Sequence, residues 1–308
     1  MTNESRDGQV DVTVIVPTRD RPELLRKTLT AIAAQSYEGV VEAIVVFDRT
    51  EVDGSLDSND ARRPVRTVSN QRKPGLAGGR NTGLELASGT YIAFCDDDDT
   101  WSCDKLALQL AVLESSDMRM AVGAIDVHFE DTTTRRVPDM GRITFDDLLR
   151  SRIVEAHPSS FVFERSLVDE VGMVDEALPG SYAEDYEYLL RIARVTDIAV
   201  VPDAIVNVLW HTASFFVENW QTRIDALTYL LGCYPEFDRD GVGKARIEGQ
   251  IAFAHAAIGN RSEARRWSRR TLRSSWRERR AYLALLVSTG LVSADTVVAK
   301  IQRFGRGI

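Results

Sequence analysis

Apolar positions along the chain fall in short runs separated by stretches with helical spacing, the alternation expected of parallel βαβ units. Residues 10–16 (VDVTVIV) predict a buried strand. Pro22 then opens a helix in which Leu24, Leu25, Leu29 and Ile32 recur at helical intervals. Residues 40–47 (VVEAIVVF) and 65–68 predict the next two strands. A glycine-rich turn at 75–79 precedes a helix holding Leu84, Leu86 and Ala87, and 91–95 (YIAFC) is a further strand.

The pattern then changes. Residues 118–211 mix short strands (120–127, 160–163 and 205–210) with a helix over 183–195. From about Phe215 onward the spacing is helical throughout. The pattern therefore predicts a flexible N-terminus over 1–9, an α/β domain over 10–214 divided near 101, and a helical region over 215–308. Within that region, 251–273 reads as two helices joined by a Gly-Asn turn, a single hairpin with no repeat beside it.

Composition bounds the function. The net charge of -8 over 308 residues excludes a general nucleic-acid binder, which needs a basic face to neutralise phosphates. Residues 244–280 depart from the rest, with 11 Lys or Arg against 3 Glu. In this stretch Arg261, Arg265, Arg266, Arg269, Arg270 and Arg273 recur at intervals of three or four. Peripheral contact with an anionic membrane and homodimerisation are the two partners that 243–308 suggests, beside a solvated helix face. Cys95, Cys103 and Cys233 form neither a metal pattern nor a disulfide framework. With a polar start and no apolar run of about 20 residues, the expectation is a cytoplasmic protein, peripheral at most to the inner face of the membrane.

The sharpest chemical feature is Asp96-Asp97-Asp98-Asp99, directly after YIAFC and before Thr100-Trp101. Four adjacent carboxylates repel one another unless something positive neutralises them. They lie at the carboxyl end of a predicted strand, where open α/β sheets place ligands. Alternate residues such as Asp96 and Asp98 point to the same side. Hard oxygen ligands favour Mg²⁺ or Mn²⁺. Asp99 is expected either to support such a site or to cap a helix beginning near Trp101.

In order and spacing, VTVIVPTRDRPELLRKTLTAIAAQSY, VVEAIVVFD, GLAGGRNTGLELASGTYIAFCDDDDTW and AEDYEYLLRIAR resemble a family-2 glycosyltransferase over residues 10–211. The resemblance implies a GT-A fold: a Rossmann-like mixed sheet flanked by helices, with nucleotide-binding (10–101) and acceptor (102–214) halves. It implies inverting transfer from a UDP-, GDP- or dTDP-sugar to a glycan, glycolipid or small-molecule acceptor, with metal assistance. Donor contacts would come from Pro17, Thr18, Arg19, Asp48, Asn70, Arg80, Asp96 and Asp97, with Arg21, Gly75 and Asn81 in the same elements. Phe47-Asp48-Arg49-Thr50 departs from the family's usual second aspartate, so the nucleobase stays open. Asp98 and Asp96 would hold the metal with His211. Asp185 would be the general base, supported by Glu184, and His157-Pro158-Ser159-Ser160 would line the acceptor channel. A sugar-nucleotide nucleotidyltransferase and a non-catalytic nucleotide-sugar binding protein remain alternatives.

Overall fold

The computed structural model describes residues 10–210 and 219–302. In chain order the elements are β1 (Val12–Thr18), α1 (Pro22–Ala33), β2 (Val41–Phe47), β3 (Val65–Ser69), α2 (Leu76–Leu86), β4 (Tyr91–Phe94), β5 (Thr100–Trp101), α3 (Lys105–Glu114), β6 (Met120–Phe129), β7 (Thr132–Arg136), β8 (Arg142–Ile143), α4 (Phe145–Arg150), β9 (Val162–Glu164), α5 (Ser166–Val171), α6 (Glu184–Ala193) and β10 (Ile198–Leu209). Helices α7 (Trp220–Cys233), α8 (Gly241–Ala257), α9 (Arg261–Ser274), α10 (Arg279–Ser288) and α11 (Ala294–Gln302) follow. Two compact units form: the described residues of 1–145, 153–176 and 184–212, and those of 146–152, 177–183 and 213–308.

The first unit is built on one mixed sheet of order β3-β2-β1-β4-β9-β6-β10-β5, with β7 on β6 and β8 on β10. Strands β3, β2, β1 and β4 run parallel, and β9 enters antiparallel beside β4. Every residue of β1 is buried, as expected of a parallel strand covered on both faces. In α1, Pro22 occupies the first turn, and Leu25, Thr28 and Ile32 form the buried stripe. The shared core joins Val14, Val16, Val45, Ala93 and Leu106 to Ala121, Val162 and Val201 across the sheet.

Three elements differ from the sequence expectation. Thr100–Trp101 is a two-residue strand antiparallel to β10, so no helix starts there for Asp99 to cap. The next helix begins at Lys105. Strand β10 starts at Ile198, well before 205, and its register shifts between Val201 and Val206. Strand β7 (TTTRR) is polar and mostly exposed, an edge strand with no apolar alternation to announce it.

In the helical unit, α8 and α9 form the expected hairpin. Gly259 takes a left-handed φ of 79°, and the Asn260 side chain caps α9 by accepting from Glu263 N–H. Ile251, Ala252, Phe253, Ala254, Ala264 and Ala281 are buried within this unit. No helix among the described residues is long and apolar enough to cross a membrane.

Lys105 lies wholly within the first unit's core. Its ammonium donates to Gln109 Oε1 at 2.7 Å and sits 4.0 Å from the centre of the Trp101 ring. Burial pulls it from an ordinary 10.5 down to about 7. Between those values the unfolded chain binds the extra proton, so this side chain adds stability as pH rises. The unfolding free energy of the parent minus that of Lys105→Met, measured in urea, should rise from pH 7 to about pH 9. Parallel pH profiles would contradict this placement.

Candidate active site

Strand β4 delivers the four aspartates into a turn in which Asp99 N–H donates to Asp96 O at 3.2 Å. The Thr28 hydroxyl of α1 fastens the turn from beneath, 2.7 Å from Asp99 O. The four side chains diverge. Asp96 meets Arg80 Nη2 at 2.9 Å. Asp97 accepts from the Thr18 hydroxyl at 2.7 Å, from Arg19 N–H at 3.3 Å and from Arg21 Nη1 at 3.1 Å. Asp98 meets the same Arg21 nitrogen at 2.6 Å. Asp99 accepts from the Ser159 hydroxyl at 2.5 Å and from Leu209 N–H at 3.2 Å, with His157 Nδ1 at 3.4 Å. Asp96 and Asp98 are 23% and 16% open, while Asp97 and Asp99 are buried. The side chains do not alternate in direction, however: Asp98 shares Arg21 with Asp97, and Asp96 lies with Asp99 and His157.

Arg80 links this turn to the Glu184-Asp185 pair. Its buried guanidinium binds Asp96 through Nη2 and Glu184 through Nη1, over the ring of Phe94. Burial opposes the charge on Arg80, but Glu184, Asp96 and Asp185 together hold its pKa above the ordinary value. Glu184 is pushed upward by burial, with Arg80 opposing and Asp185 adding. Asp98 rises to about 6 through burial and repulsion from Asp96, against the pull of Arg21. Burial also drives Asp99 well up, with Asp96 and Asp98 adding. A carboxylate excess held under such repulsion suits a divalent cation. One oxygen or nitrogen each from Asp96, Asp99 and His157 lies within 4.8 Å of the others. That mixed oxygen and imidazole set fits Mg²⁺ or Mn²⁺. Asp98, the first metal choice from sequence, faces Arg21 here instead of joining that group, and His211 lies outside the described residues.

The remaining expected residues form the rim. Asp48 is buried, with Asn70 Nδ2 on one carboxylate oxygen at 2.7 Å and Gly75 N–H on the other at 3.1 Å. Asn70 in turn accepts from the Thr82 hydroxyl at 2.8 Å, so these two residues knit β2, β3 and α2 together. Gly75 adopts φ 124°, which a side chain would resist, and a Cβ on Gly78 would strike the Lys73 carbonyl at 1.8 Å. Asn81 ties α2 to 174–176, accepting from Val174 N–H at 2.9 Å and donating to Glu176 at 2.7 Å. Pro17, next to last in β1, lies opposite Val46. Arg19 offers its N–H to Asp97, while its side chain turns to Asp20 at 3.7 Å.

A cavity of about 240 Å³ opens where β1 and β2 end, lined in part by Thr18, Arg21, Phe47, Thr50, Asp53 and Leu56. Asp20 and Arg49 beside it hold left-handed φ of 54° and 56°, as does Ala183 (66°) immediately before Glu184. Backbone strain of this kind gathers at ligand sites. Thr50, Asp53 and Leu56 were not singled out from sequence, nor was the bonding of Ser159 to Asp99 and Asp96. The first three lie in a polar loop without periodicity, and Ser159 reaches the turn only through the β4–β9 pairing.

The glycosyl transferase family 2 model matches residues 13–172. The chain belongs to glycosyl transferase family 2. It is an enzyme of glycosyl transfer, which answers the choice that the sequence left open. Among curated members it is 24% identical over 194 residues to the Escherichia coli UDP-Glc:alpha-D-GlcNAc-diphosphoundecaprenol beta-1,3-glucosyltransferase WfgD, covering 62% of this chain and 72% of that one. Among solved structures, S. aureus TarS 1-349 in complex with UDP-GlcNAc aligns with a TM-score of 0.58 at 18% identity, covering 91% of this chain and 88% of that one. The mannosyltransferase PcManGT from Pyrobaculum calidifontis, in complex with GDP-Man and Mn²⁺, aligns with a TM-score of 0.54 at 20% identity, covering 95% and 79%. These likenesses show a GT-A type fold for this family-2 member.

Ser159 joins two of the four aspartates, since its hydroxyl donates to Asp99 and accepts from Asp96 N–H at 3.0 Å. Ser159→Ala should therefore cost about 1–3 kcal/mol of stability by urea unfolding, because a buried carboxylate loses one of its donors and the part-buried Asp96 N–H loses its acceptor. A loss below about 0.5 kcal/mol, the level of a neutral surface change, would show that the turn does not depend on this bridge.

Proposed function

We propose that the chain transfers a sugar, with inversion at the anomeric carbon, from a UDP-sugar to a hydroxyl of a lipid-linked glycan acceptor. The observation that carries this reading is the convergence of Asp96 and Glu184 on one buried guanidinium. Arg80 thereby joins the strand-end carboxylates and the Glu184-Asp185 pair in a single site. UDP is favoured because WfgD is named for UDP-Glc and TarS is seen with UDP-GlcNAc. A lipid-linked acceptor is favoured because WfgD is named for a diphosphoundecaprenol substrate.

In this reading the base of the nucleotide enters the cavity at the ends of β1 and β2, against Thr18 and Phe47. Asp96 and Asp98, the more open carboxylates, would hold the cation, with His211 a further ligand candidate on sequence grounds. A divalent cation there would stabilise the charge that builds on the departing diphosphate. Asp99 positions the turn through Ser159 and Leu209 and, beside Asp96 and His157, would offer the cation a further ligand atom. Arg21, now between Asp97 and Asp98, can turn to the diphosphate without losing its charge. Glu184, anchored on Arg80, fixes the first turn of α6 and so positions its neighbour. Asp185 takes the proton of the acceptor hydroxyl as its oxygen bonds to the anomeric carbon and the bond to the diphosphate breaks.

Calorimetric titration with UDP and Mn²⁺, alongside turnover, tests these roles together. Asp98→Ala should lose the Mn²⁺-dependent gain in UDP affinity. Asp185→Asn should keep the parent UDP affinity and lose about 10²–10⁴-fold in transfer rate. Turnover of Asp185→Asn at the parent rate would assign the base to another residue, and unchanged Mn²⁺ dependence in Asp98→Ala would remove it from the metal site.

A further inference from the structure

Helix α9 carries Arg261, Arg265, Arg269 and Arg273 at intervals of four, a single row running about 18 Å at 1.5 Å per residue. All four are exposed. Nearby arginines have acidic partners: Arg266 with Glu263 at 3.2 Å, Arg270 with Glu248 at 3.1 Å and Arg280 with Glu278 at 3.0 Å. Among the described residues, none pairs with the four in the row. Like charges one helical turn apart oppose the helix that holds them. Nothing described in the chain offsets that repulsion, so the row fits a surface whose counter-charge comes from outside.

Apolar and aromatic side chains border the row. Leu291 at 83% and Trp276 at 68% are the most exposed large hydrophobic residues described. The Tyr282 hydroxyl donates to Trp276 O at 2.8 Å, and Leu286 follows one turn later on α10, both exposed. Arg277 lies over the Trp276 ring at 5.1 Å. At the other end of the α9–α10 hairpin, the Arg261 guanidinium approaches Gly290, the neighbour of Leu291. Basic and apolar groups therefore meet at both ends of the hairpin.

We propose that this face of the α9–α10 hairpin binds the anionic surface of a lipid bilayer, with the arginines at the headgroup phosphates and Trp276, Tyr282 and Leu291 at the acyl boundary. A basic row beside exposed aromatic and aliphatic groups is the chemistry of an interfacial helix. A nucleic acid would leave the apolar groups unused and meet a chain of net charge -8. A second copy docking about a two-fold axis would set the same positive row against itself. The surface deepens the lipid-linked acceptor reading, on which its purpose rests. Vesicle binding and sugar transfer are measured separately, so either can fail while the other holds.

The test is co-sedimentation of the full chain with vesicles of phosphatidylglycerol and phosphatidylcholine in equal parts, against pure phosphatidylcholine. Binding should require phosphatidylglycerol and weaken as salt rises. The triple variant Arg265→Gln, Arg269→Gln, Arg273→Gln should bind roughly 100-fold more weakly, at about 1 kcal/mol per arginine. The matching triple substitution to Lys should retain binding, which separates charge from folding. Tryptophan emission should shift to the blue on the mixed vesicles, and Trp276→Phe should abolish the shift. Equal binding to neutral vesicles, or none to either, would overturn the proposal. So would capture by polyphosphate without vesicle binding, or a concentration-dependent dimer that buries Trp276.

Discussion

The buried guanidinium of Arg80 is the constraint on which the rest of the site depends. It sits inside a helix that follows a glycine turn, with almost no solvent around it, and is held by Asp96 on one side and Glu184 on the other. Among the described residues its Nε has no acceptor. A charge so enclosed survives only through close partners, and removing one side of such a pair costs about 3–5 kcal/mol. The contact therefore fixes three places at once: the end of β4, the first half of α2 and the start of α6.

Around that fixed point the site is crowded with negative charge. Asp97 and Asp99 are occupied in holding the 18–21 loop, the 157–160 turn and the end of β10. Asp96 and Asp98 remain more open, and Arg21 is the cation nearest Asp98. The turn divides the four adjacent side chains: Asp97 and Asp98 share Arg21, while Asp96 and Asp99 share Ser159. The left-handed residues Asp20, Arg49 and Ala183 lie in the 18–21 loop, just after β2 and just before α6, a backbone cost kept outside the helices and strands.

How far the sequence reveals this depends on the range of each interaction. Strands β1 to β4 are local apolar runs, and they were legible as such. So was the emergence of the aspartates from the last of them, and the basic stretch that becomes α9. Strand β10 was legible only from 205, because Pro202 and Asp203 interrupt its apolar pattern and shift its register. Strand β5 is too short to carry a period, and β7 has only polar residues to show. The partners of Asp99 were hidden for a different reason. Ser159 and His157 reach the turn because β9 pairs antiparallel with β4, Val162 opposite Ala93, a long-range register that no local pattern encodes. For the same reason, Arg80 could be placed near a ligand from its motif, but its bridging of Asp96 and Glu184 became visible only in three dimensions.

The central claim is that Arg80 and Glu184 act as one buried unit. A double-mutant cycle of Arg80→Met and Glu184→Gln, read as unfolding free energy in urea, measures this directly. Each single change should be strongly destabilising, and the double variant should recover more than about 1 kcal/mol of the summed losses, since neither residue then leaves a lone buried charge. Additive losses would contradict the account, for they would mean that the two side chains stabilise the fold independently and that the strand-end aspartates and α6 are not held together through this contact.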